Sequence, residues 1–199
     1  MTAGHSRWYI VPAAFDPEAG ATMTTREIGG LNMTLERAVR WFAFAAMIGG
    51  ICRIGMTPSA FIWGGDSDQE LTCAFVANIL MAFGTFGLYL AQAKEAGKFG
   101  FIAFAVMELG LILVTCTVWS SMLRVSPWEW GIVKSFEIGS GMLGMLLFPI
   151  ASLRARVLPK WACFAMLAML LVGPIFEKFV ALVWGVAYIG LGYAVWSGK

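Results

Sequence analysis

Charged residues are scarce in this chain. They make up 13% of its 199 residues, whereas 59% are hydrophobic, and the mean hydropathy is +0.76. Soluble domains carry about 25% charged residues, so the charge here is too sparse to cover a water-exposed surface, and a soluble enzyme is excluded. The net charge of +2 is too small to indicate a nucleic-acid partner. The composition therefore predicts an all-α, multi-pass integral membrane protein surrounded by membrane lipids.

Histidine is almost absent, and the cysteines form no recognisable metal or redox motif. His5 is the single histidine, which argues against haem held by paired intramembrane histidines, a histidine ligand to chlorophyll and a His-based metal site. The four cysteines fall in apolar stretches without a Cys-x-x-Cys pair, a pattern typical of small buried residues. No phosphate-binding loop or dinucleotide fingerprint occurs. The sequence therefore predicts no catalytic residue and no metal site, and it assigns no cofactor.

The N-terminal segment differs from the rest of the chain. Residues 1–36 hold six charged residues, two prolines and four glycines, and they lack the apolar run of a secretory signal peptide. We expect a polar tail over residues 1–36 and a transmembrane domain over residues 37–199. The first helix is expected to begin at Asn32 or Thr34, where a side-chain oxygen can cap it, with Glu36 in its first turn.

The remainder predicts a six-transmembrane-helix bundle. A span needs about 20 mostly apolar residues, and six stretches reach or approach that length. The links between them are short, which favours antiparallel packing of consecutive spans. The fifth span is the shortest, and Gly173 and Pro174 within it predict a kink. The predicted spans are Trp41–Ile62, Leu71–Gln92, Phe99–Leu123, Trp130–Leu153, Trp161–Phe176 and Phe179–Trp196.

The distribution of basic residues predicts the orientation. Of the fourteen lysines and arginines, ten fall before the first span, in alternate links and at the C-terminus, and two fall in the other links. Lysine and arginine concentrate on the cytoplasmic side, so both termini are expected inside. Tryptophans at both ends of the spans predict an aromatic belt. The segments Leu153–Trp161 and Gly192–Ser197 resemble boundary segments of many bacterial membrane proteins, and we expect the bacterial inner (cytoplasmic) membrane.

Small residues at helical spacing predict where helices approach closely. Ala181 with Gly185 and Ser135 with Gly139 are two such pairs. In lipid, small side chains let helix backbones come together and gain packing energy.

Five polar residues within the spans form the candidate intramembrane site. An ionisable group at membrane depth costs about 2.5–3.5 kcal/mol on insertion scales, which makes each one a site candidate. At about 1.5 Å of rise per residue, Arg53 and Glu137 lie at a similar depth, and we expect an ion pair between them. Lys134 can share that carboxylate or reach the outer surface. Glu108 lies near mid-membrane, where burial favours a neutral acid, with Asn78 as the expected hydrogen-bond partner.

Three functions are compatible with these features. We predict first a non-catalytic accessory or scaffold subunit of a larger membrane complex, packing against partner helices, lipids or pigments. The alternative is a small transporter or channel with an intramembrane site around Glu108 and Arg53/Glu137. A membrane enzyme acting on lipid is the third, and it would need a cluster of acids, histidine or serine at one membrane boundary. The acidic link Asp66–Glu70 lies at such a boundary, but a solvated loop explains it more simply. A water-lined path to Glu108 would distinguish the transporter from the subunit.

Overall fold

The computed structural model describes residues 34–125, 131–172 and 177–198. These residues form α-helices joined by short turns, and no strand occurs among them. The first 33 residues of the predicted tail, the start of the predicted fourth span and the predicted kink at Gly173-Pro174 lie outside the described residues. The helices are α1 (Leu35–Trp63), α2 (Asp68–Met122), α3 (Gly131–Ala155), α4 (Lys160–Val172) and α5 (Glu177–Ser197).

Capping side chains determine where the first two helices begin. Thr34 precedes α1 in an extended conformation, and its hydroxyl accepts a hydrogen bond from the Arg37 amide. Ser67 does the same for α2, accepting from the Glu70 amide. A capping oxygen satisfies one of the amides that a helix leaves unpaired at its start. The prediction that the first helix begins at Asn32 or Thr34 is confirmed for Thr34.

Helix α2 is a hairpin of two arms. Its 55 residues would extend about 82 Å if straight, but Gly97 has non-helical angles (φ 57°, ψ −152°) and reverses the chain. The arms, residues 68–96 and 98–122, then run antiparallel. Ring contacts hold them together along their length, at 5.4 Å between Phe75 and Trp119 and at 4.5 Å between Tyr89 and Phe104.

The helices form a closed ring. Helix α1 packs against α2 and α5, α5 against α4, α4 against α3, and α3 against α2, whereas α1 and α3 are not neighbours. The loop Gly64–Ser67 lies at one end of the ring, here called the Gly64 end, and the Gly97 turn lies at the other, the Gly97 end. The chain alternates in direction from α1 through the two arms of α2 to α3.

Glycines create the closest helix contacts. A Cβ built on Gly50 would lie 2.6 Å from the Gly185 carbonyl oxygen, which brings α1 and α5 together. A Cβ on Gly144 would lie 2.6 Å from the Met107 Cα, which joins α3 to the second arm of α2. Gly185 therefore makes the close contact expected of it. Gly139 does not, because no atom lies within 4 Å of a Cβ built there.

Four helices are long and apolar enough to cross a membrane by length and composition. They are α1, α2, residues Lys134–Ala155 of α3 and residues Phe179–Ser197 of α5, and α4 contains a shorter apolar stretch, Lys160–Leu170. The structure thus supports an integral membrane protein with several apolar helices. The predicted link over residues 93–98 is helical except at Gly97, so the boundary between the predicted second and third spans is a single residue.

Candidate functional site

A row of polar side chains runs along the buried face of α2. Asn78, Thr85 and Gln92 are spaced seven residues apart and are 0%, 0% and 1% exposed. Seven residues fall about 20° short of two helical turns, so the three side chains share one face. They cover about 21 Å of helix rise. We call these residues, their partners Arg53, Tyr188 and Ser152, and the neighbouring Glu108 the polar seam.

Arg53 occupies the part of the seam nearest the Gly64 end. Its Nη1 donates a hydrogen bond of 3.1 Å to Asn78 Oδ1. The guanidinium carbon lies 4.3 Å from the centre of the Trp184 ring, in a cation–π contact. The side chain is 9% exposed. Arg53 thus holds a positive charge inside the bundle, and its described partners are a neutral amide and an indole ring.

The predicted partners of Arg53 and Asn78 are corrected by this geometry. Asn78 bonds to Arg53, whereas the sequence suggested Glu108. The expected Arg53–Glu137 ion pair does not form among the described residues, because α1 and α3 are not adjacent. Glu137 Oε2 instead accepts a 2.6 Å hydrogen bond from the Thr117 hydroxyl. A similar expected depth of Arg53 and Glu137 is not enough for an ion pair, because the two residues must also lie on neighbouring helices.

The middle of the seam joins α2 to α5. The hydroxyls of Thr85 and Tyr188 lie 2.9 Å apart in a hydrogen bond, and both side chains are fully buried. Glu108 is also buried, on the second arm of α2, and it lies close enough to Tyr188 to interact with it electrostatically. Arg53 interacts with the same tyrosine. Tyr188 is therefore close to both the basic and the acidic residue of the seam.

The part of the seam nearest the Gly97 end joins α2 to α3. Gln92 Nε2 donates a 2.8 Å hydrogen bond to Ser152 Oγ. The serine hydroxyl in turn donates to the Phe148 carbonyl one turn earlier, at 2.9 Å. The three seam residues on the first arm of α2 thus contact three different helices: α1, α5 and α3.

The seam leaves several buried polar atoms unsatisfied. In the described part of the chain, five such atoms have no hydrogen-bond partner: Arg53 Nε, Asn78 Nδ2, Gln92 Oε1, Glu108 Oε1 and Trp184 Nε1. Four belong to the seam, and the fifth belongs to the ring against Arg53. Each unpaired buried group costs about 1–3 kcal/mol. Such a concentration indicates a site that water or a ligand completes.

A cavity connects Arg53 with the Gly64 end. It has a volume of about 430 Å³, and Arg53 is among its lining residues. Asp66 and Glu70 line it at the loop, and Glu70 interacts electrostatically with Arg53. Its remaining lining residues are Met56, Thr57, Ala60, Gly65, Val180 and Ala181. The cavity therefore combines acidic residues, apolar residues and one buried cation.

The two remaining candidates lie away from the seam. Glu137 is buried between α3 and the second arm of α2, where it bonds to Thr117. The side chain of Lys134, one turn earlier on α3, is exposed. Of the five predicted site residues, the structure brings Arg53 and Asn78 into contact and places Glu108 near Tyr188.

Thr85, Gln92 and Tyr188 were not among the predicted site residues, because none of them carries a charge that would mark it within an apolar span. The seven-residue repeat of polar residues within an apolar helix was the signal that could have found them. No group of three or more histidine, cysteine or acidic residues that could hold a metal ion occurs within residues 34–125, 131–172 and 177–198.

Comparison with known proteins adds no family to this description. No family model, curated protein sequence or solved structure matches the chain.

Proposed function

We propose that this protein is a small membrane transporter or channel that carries a polar solute along the polar seam. The observation that carries the proposal is the buried row Asn78, Thr85 and Gln92 with its unsatisfied neighbouring atoms. A helix packed only for stability has no need of buried polar atoms without partners, since each one destabilises the bundle. Polar and ionisable residues inside a membrane commonly mark solute pathways.

In this proposal the seam has an entrance and a proton-binding group. The cavity supplies the entrance and leads to Arg53, which binds the solute first. Glu108, buried beside Tyr188, takes up and releases a proton as the solute passes. Its Oε1 has no hydrogen-bond partner in the described structure, which leaves it available to a solute or to water.

The proposed topology has six spans with both termini inside. Each arm of α2 crosses once, and the fifth crossing is the predicted span Trp161–Phe176, of which α4 forms the described part. Basic residues cluster near the Gly97 end, at Lys94, Lys98, Arg154, Arg156 and Lys160, whereas the loop at the Gly64 end carries Asp66 and Asp68. The positive-inside rule then places the Gly97 end in the cytoplasm.

Exposed tryptophans at both ends of the ring support a bundle that crosses the membrane, with one end at each boundary. Trp41, Trp161 and Trp196 lie towards the Gly97 end, and Trp63 and Trp119 towards the Gly64 end. Indole rings favour the boundary between lipid and water. Trp184 is 3% exposed and has a different role, against Arg53.

The test is solute uptake by proteoliposomes that contain the purified full chain. Small carboxylates, amines and amino carboxylates are each supplied with an inward proton gradient. Uptake of at least one class should exceed that of protein-free liposomes at least tenfold. Glu108→Gln should abolish the part of that uptake that depends on the gradient, because the amide cannot release a proton.

Glu137→Gln is the matched control for this experiment. Glu137 is also a buried intramembrane acid, but it bonds to Thr117 and lies outside the seam. Uptake by this variant should equal that of the wild type. Failure to take up any of the three solute classes would contradict the transport proposal. Equal losses in the two variants would contradict the proposed role of Glu108 in binding the proton.

The accessory-subunit function stays a prediction, because contacts within one chain do not test it. Purification from native membranes in mild detergent, followed by native electrophoresis, addresses it directly. Co-migration with other integral membrane subunits would support that function. Migration as a small homogeneous species would favour the transporter.

A further inference from the structure

The cavity at the Gly64 end carries an inference about the solute. Resting on the transport function proposed above, we infer that this cavity binds a small amino carboxylate, with its carboxylate on Arg53 and its ammonium group facing Asp66 and Glu70. The inference rests on the two kinds of charge that line one cavity and on the unsatisfied donors at Arg53.

Arg53 is bonded to no anion among the described residues, and Glu70 acts on it only electrostatically across the cavity. A guanidinium stays protonated in proteins, and a buried charge without an opposite charge is strongly destabilising. The described ion pairs of the chain are Arg40–Glu36 and Arg124–Asp68, so neither involves Arg53. Arg53 Nε and Asn78 Nδ2 both remain without acceptors. A carboxylate has enough acceptor positions to bond with both donors.

The mouth of the cavity has the opposite charge. Asp66 and Glu70 both line it, and Glu70 Oε2 accepts a 2.8 Å hydrogen bond from the Asp66 amide, which ties the carboxylate to the loop. Among the side chains that the structure describes, the lining includes no lysine and no arginine besides Arg53. Two carboxylates at the mouth favour a cationic group there and repel a simple anion.

The combination of charges selects among solute classes. A simple carboxylate is attracted by Arg53 but repelled by the acidic residues at the mouth. A simple amine is attracted by those acidic residues but repelled by Arg53. A molecule with both groups matches both ends at once. Met56, Ala60, Val180 and Ala181 lie in the same lining and can cover the carbon chain between its charges.

The positions of Glu70 and Asn78 along α2 indicate how far apart those charges are. Glu70 precedes Asn78, the residue bonded to Arg53, by eight residues of continuous helix, or about 12 Å of rise. Both the Arg53 and the Glu70 side chains shorten that gap. An ω-amino carboxylate of about four to six carbons extends further between its charges than an α-amino acid does, and it fits this spacing better.

The test is calorimetric binding to the detergent-purified full chain. The probes are glycine, 4-aminobutyrate and 6-aminohexanoate, with butyrate and butylamine as single-charge controls. We expect 4-aminobutyrate or 6-aminohexanoate to bind at least tenfold more tightly than glycine, butyrate or butylamine. Equal or tighter binding of either single-charge probe would overturn the inference.

Three variants test the position of the two groups. Glu70→Gln should weaken 6-aminohexanoate at least tenfold without weakening butyrate, because only the amino group faces Glu70. Asn78→Asp gives Arg53 a carboxylate partner inside the protein, so it should keep the protein folded and weaken both probes. Asp68→Asn is the matched control, since Asp68 begins α2 at the same end of the ring, bonds to Arg124 and does not line the cavity. Unchanged binding in the first two variants would overturn the assignment.

Binding and uptake together separate the two proposals. Uptake of plain carboxylates or amines without binding of any ω-amino carboxylate would overturn the inference and leave transport standing. Tight binding of 6-aminohexanoate with no uptake of any solute would support the inferred site and contradict transport. Absence of both binding and uptake would overturn both.

Discussion

At the scale of single residues, the protein is most unusual in the way it holds Arg53. An arginine buried in a bundle normally has a carboxylate partner, because the charge is costly to remove from water. Here the described partners are the Asn78 amide oxygen and the Trp184 ring. The contact between a guanidinium and an indole face is worth about 2 kcal/mol when it is shielded from water. That contact and one hydrogen bond stabilise the side chain in the absence of a ligand.

Asn78→Leu should therefore destabilise the protein. Leucine has a similar size but no acceptor, so the Arg53 guanidinium loses its described hydrogen bond. We expect a loss of about 1.5–3 kcal/mol, the range for a hydrogen bond to a charged group. Denaturant unfolding in detergent micelles, followed by tryptophan fluorescence, measures it. Val76→Leu, on the exposed side of the same helix, is the control and should leave stability unchanged within about 0.5 kcal/mol.

The second residue-scale prediction concerns Thr117 and Glu137. Their 2.6 Å hydrogen bond joins α3 to the second arm of α2. In a double-mutant cycle of Thr117→Val and Glu137→Leu, the two losses of stability should be less than additive, with a coupling of about 0.5–2 kcal/mol. The same unfolding assay applies. Additive losses would mean that this hydrogen bond contributes nothing to stability in solution.

At the scale of helices, Gly97 determines the shape of α2. Its angles, φ 57° and ψ −152°, lie in a region that only glycine adopts readily. Gly97→Ala should lower the free energy of unfolding by about 1–3 kcal/mol, because a Cβ strains this backbone even though no neighbouring atom lies within 4 Å of it. Thermal unfolding in detergent measures the loss.

Gly139→Ala is the matched control for that variant. Gly139 is helical, and a Cβ built there also meets no atom within 4 Å. Alanine is favoured over glycine in a helix by about 0.5–1 kcal/mol. The control should therefore be neutral or slightly stabilising, and an equal loss in both variants would show that Gly97 has no special conformational role.

The sequence predicted the helices better than it predicted their contacts. Runs of apolar residues and the capping threonine indicated where helices lie, because both signals are local. The position of the turn at Gly97 was predicted only to within a link of six residues, because glycine is one of several residues there that can end a helix. Phe75 contacts Trp119 across the hairpin, so Thr117, the partner of Glu137, lies close to the level of Asn78 along the bundle. Which helices are neighbours depends on packing across the whole ring, and residue spacing does not contain that information.

At the scale of the whole molecule, the proposed topology makes a prediction about accessibility. In a variant whose four native cysteines are replaced, a single cysteine at Gly65 should react in intact cells with a membrane-impermeant maleimide. A single cysteine at Lys98 should react only after the cells are opened, because the Gly97 end is proposed to face the cytoplasm. Labelling of both positions, or of Lys98 alone, in intact cells would contradict the topology.

The closed ring of helices has a consequence for how the protein is made. Arg53 leaves the ribosome with the first helix, and Asn78 follows 25 residues later, but Trp184 follows only after 131 residues. During synthesis α1 and the first arm of α2 therefore enter the membrane while Arg53 is only partly stabilised. Helix α5 must then move into place beside α1. The nascent bundle has to stay open on that side, shielded by lipid or by the insertion machinery. The ring therefore cannot close before α5 is in place, and translation arrest before α5 should leave a chain that quality-control proteases recognise.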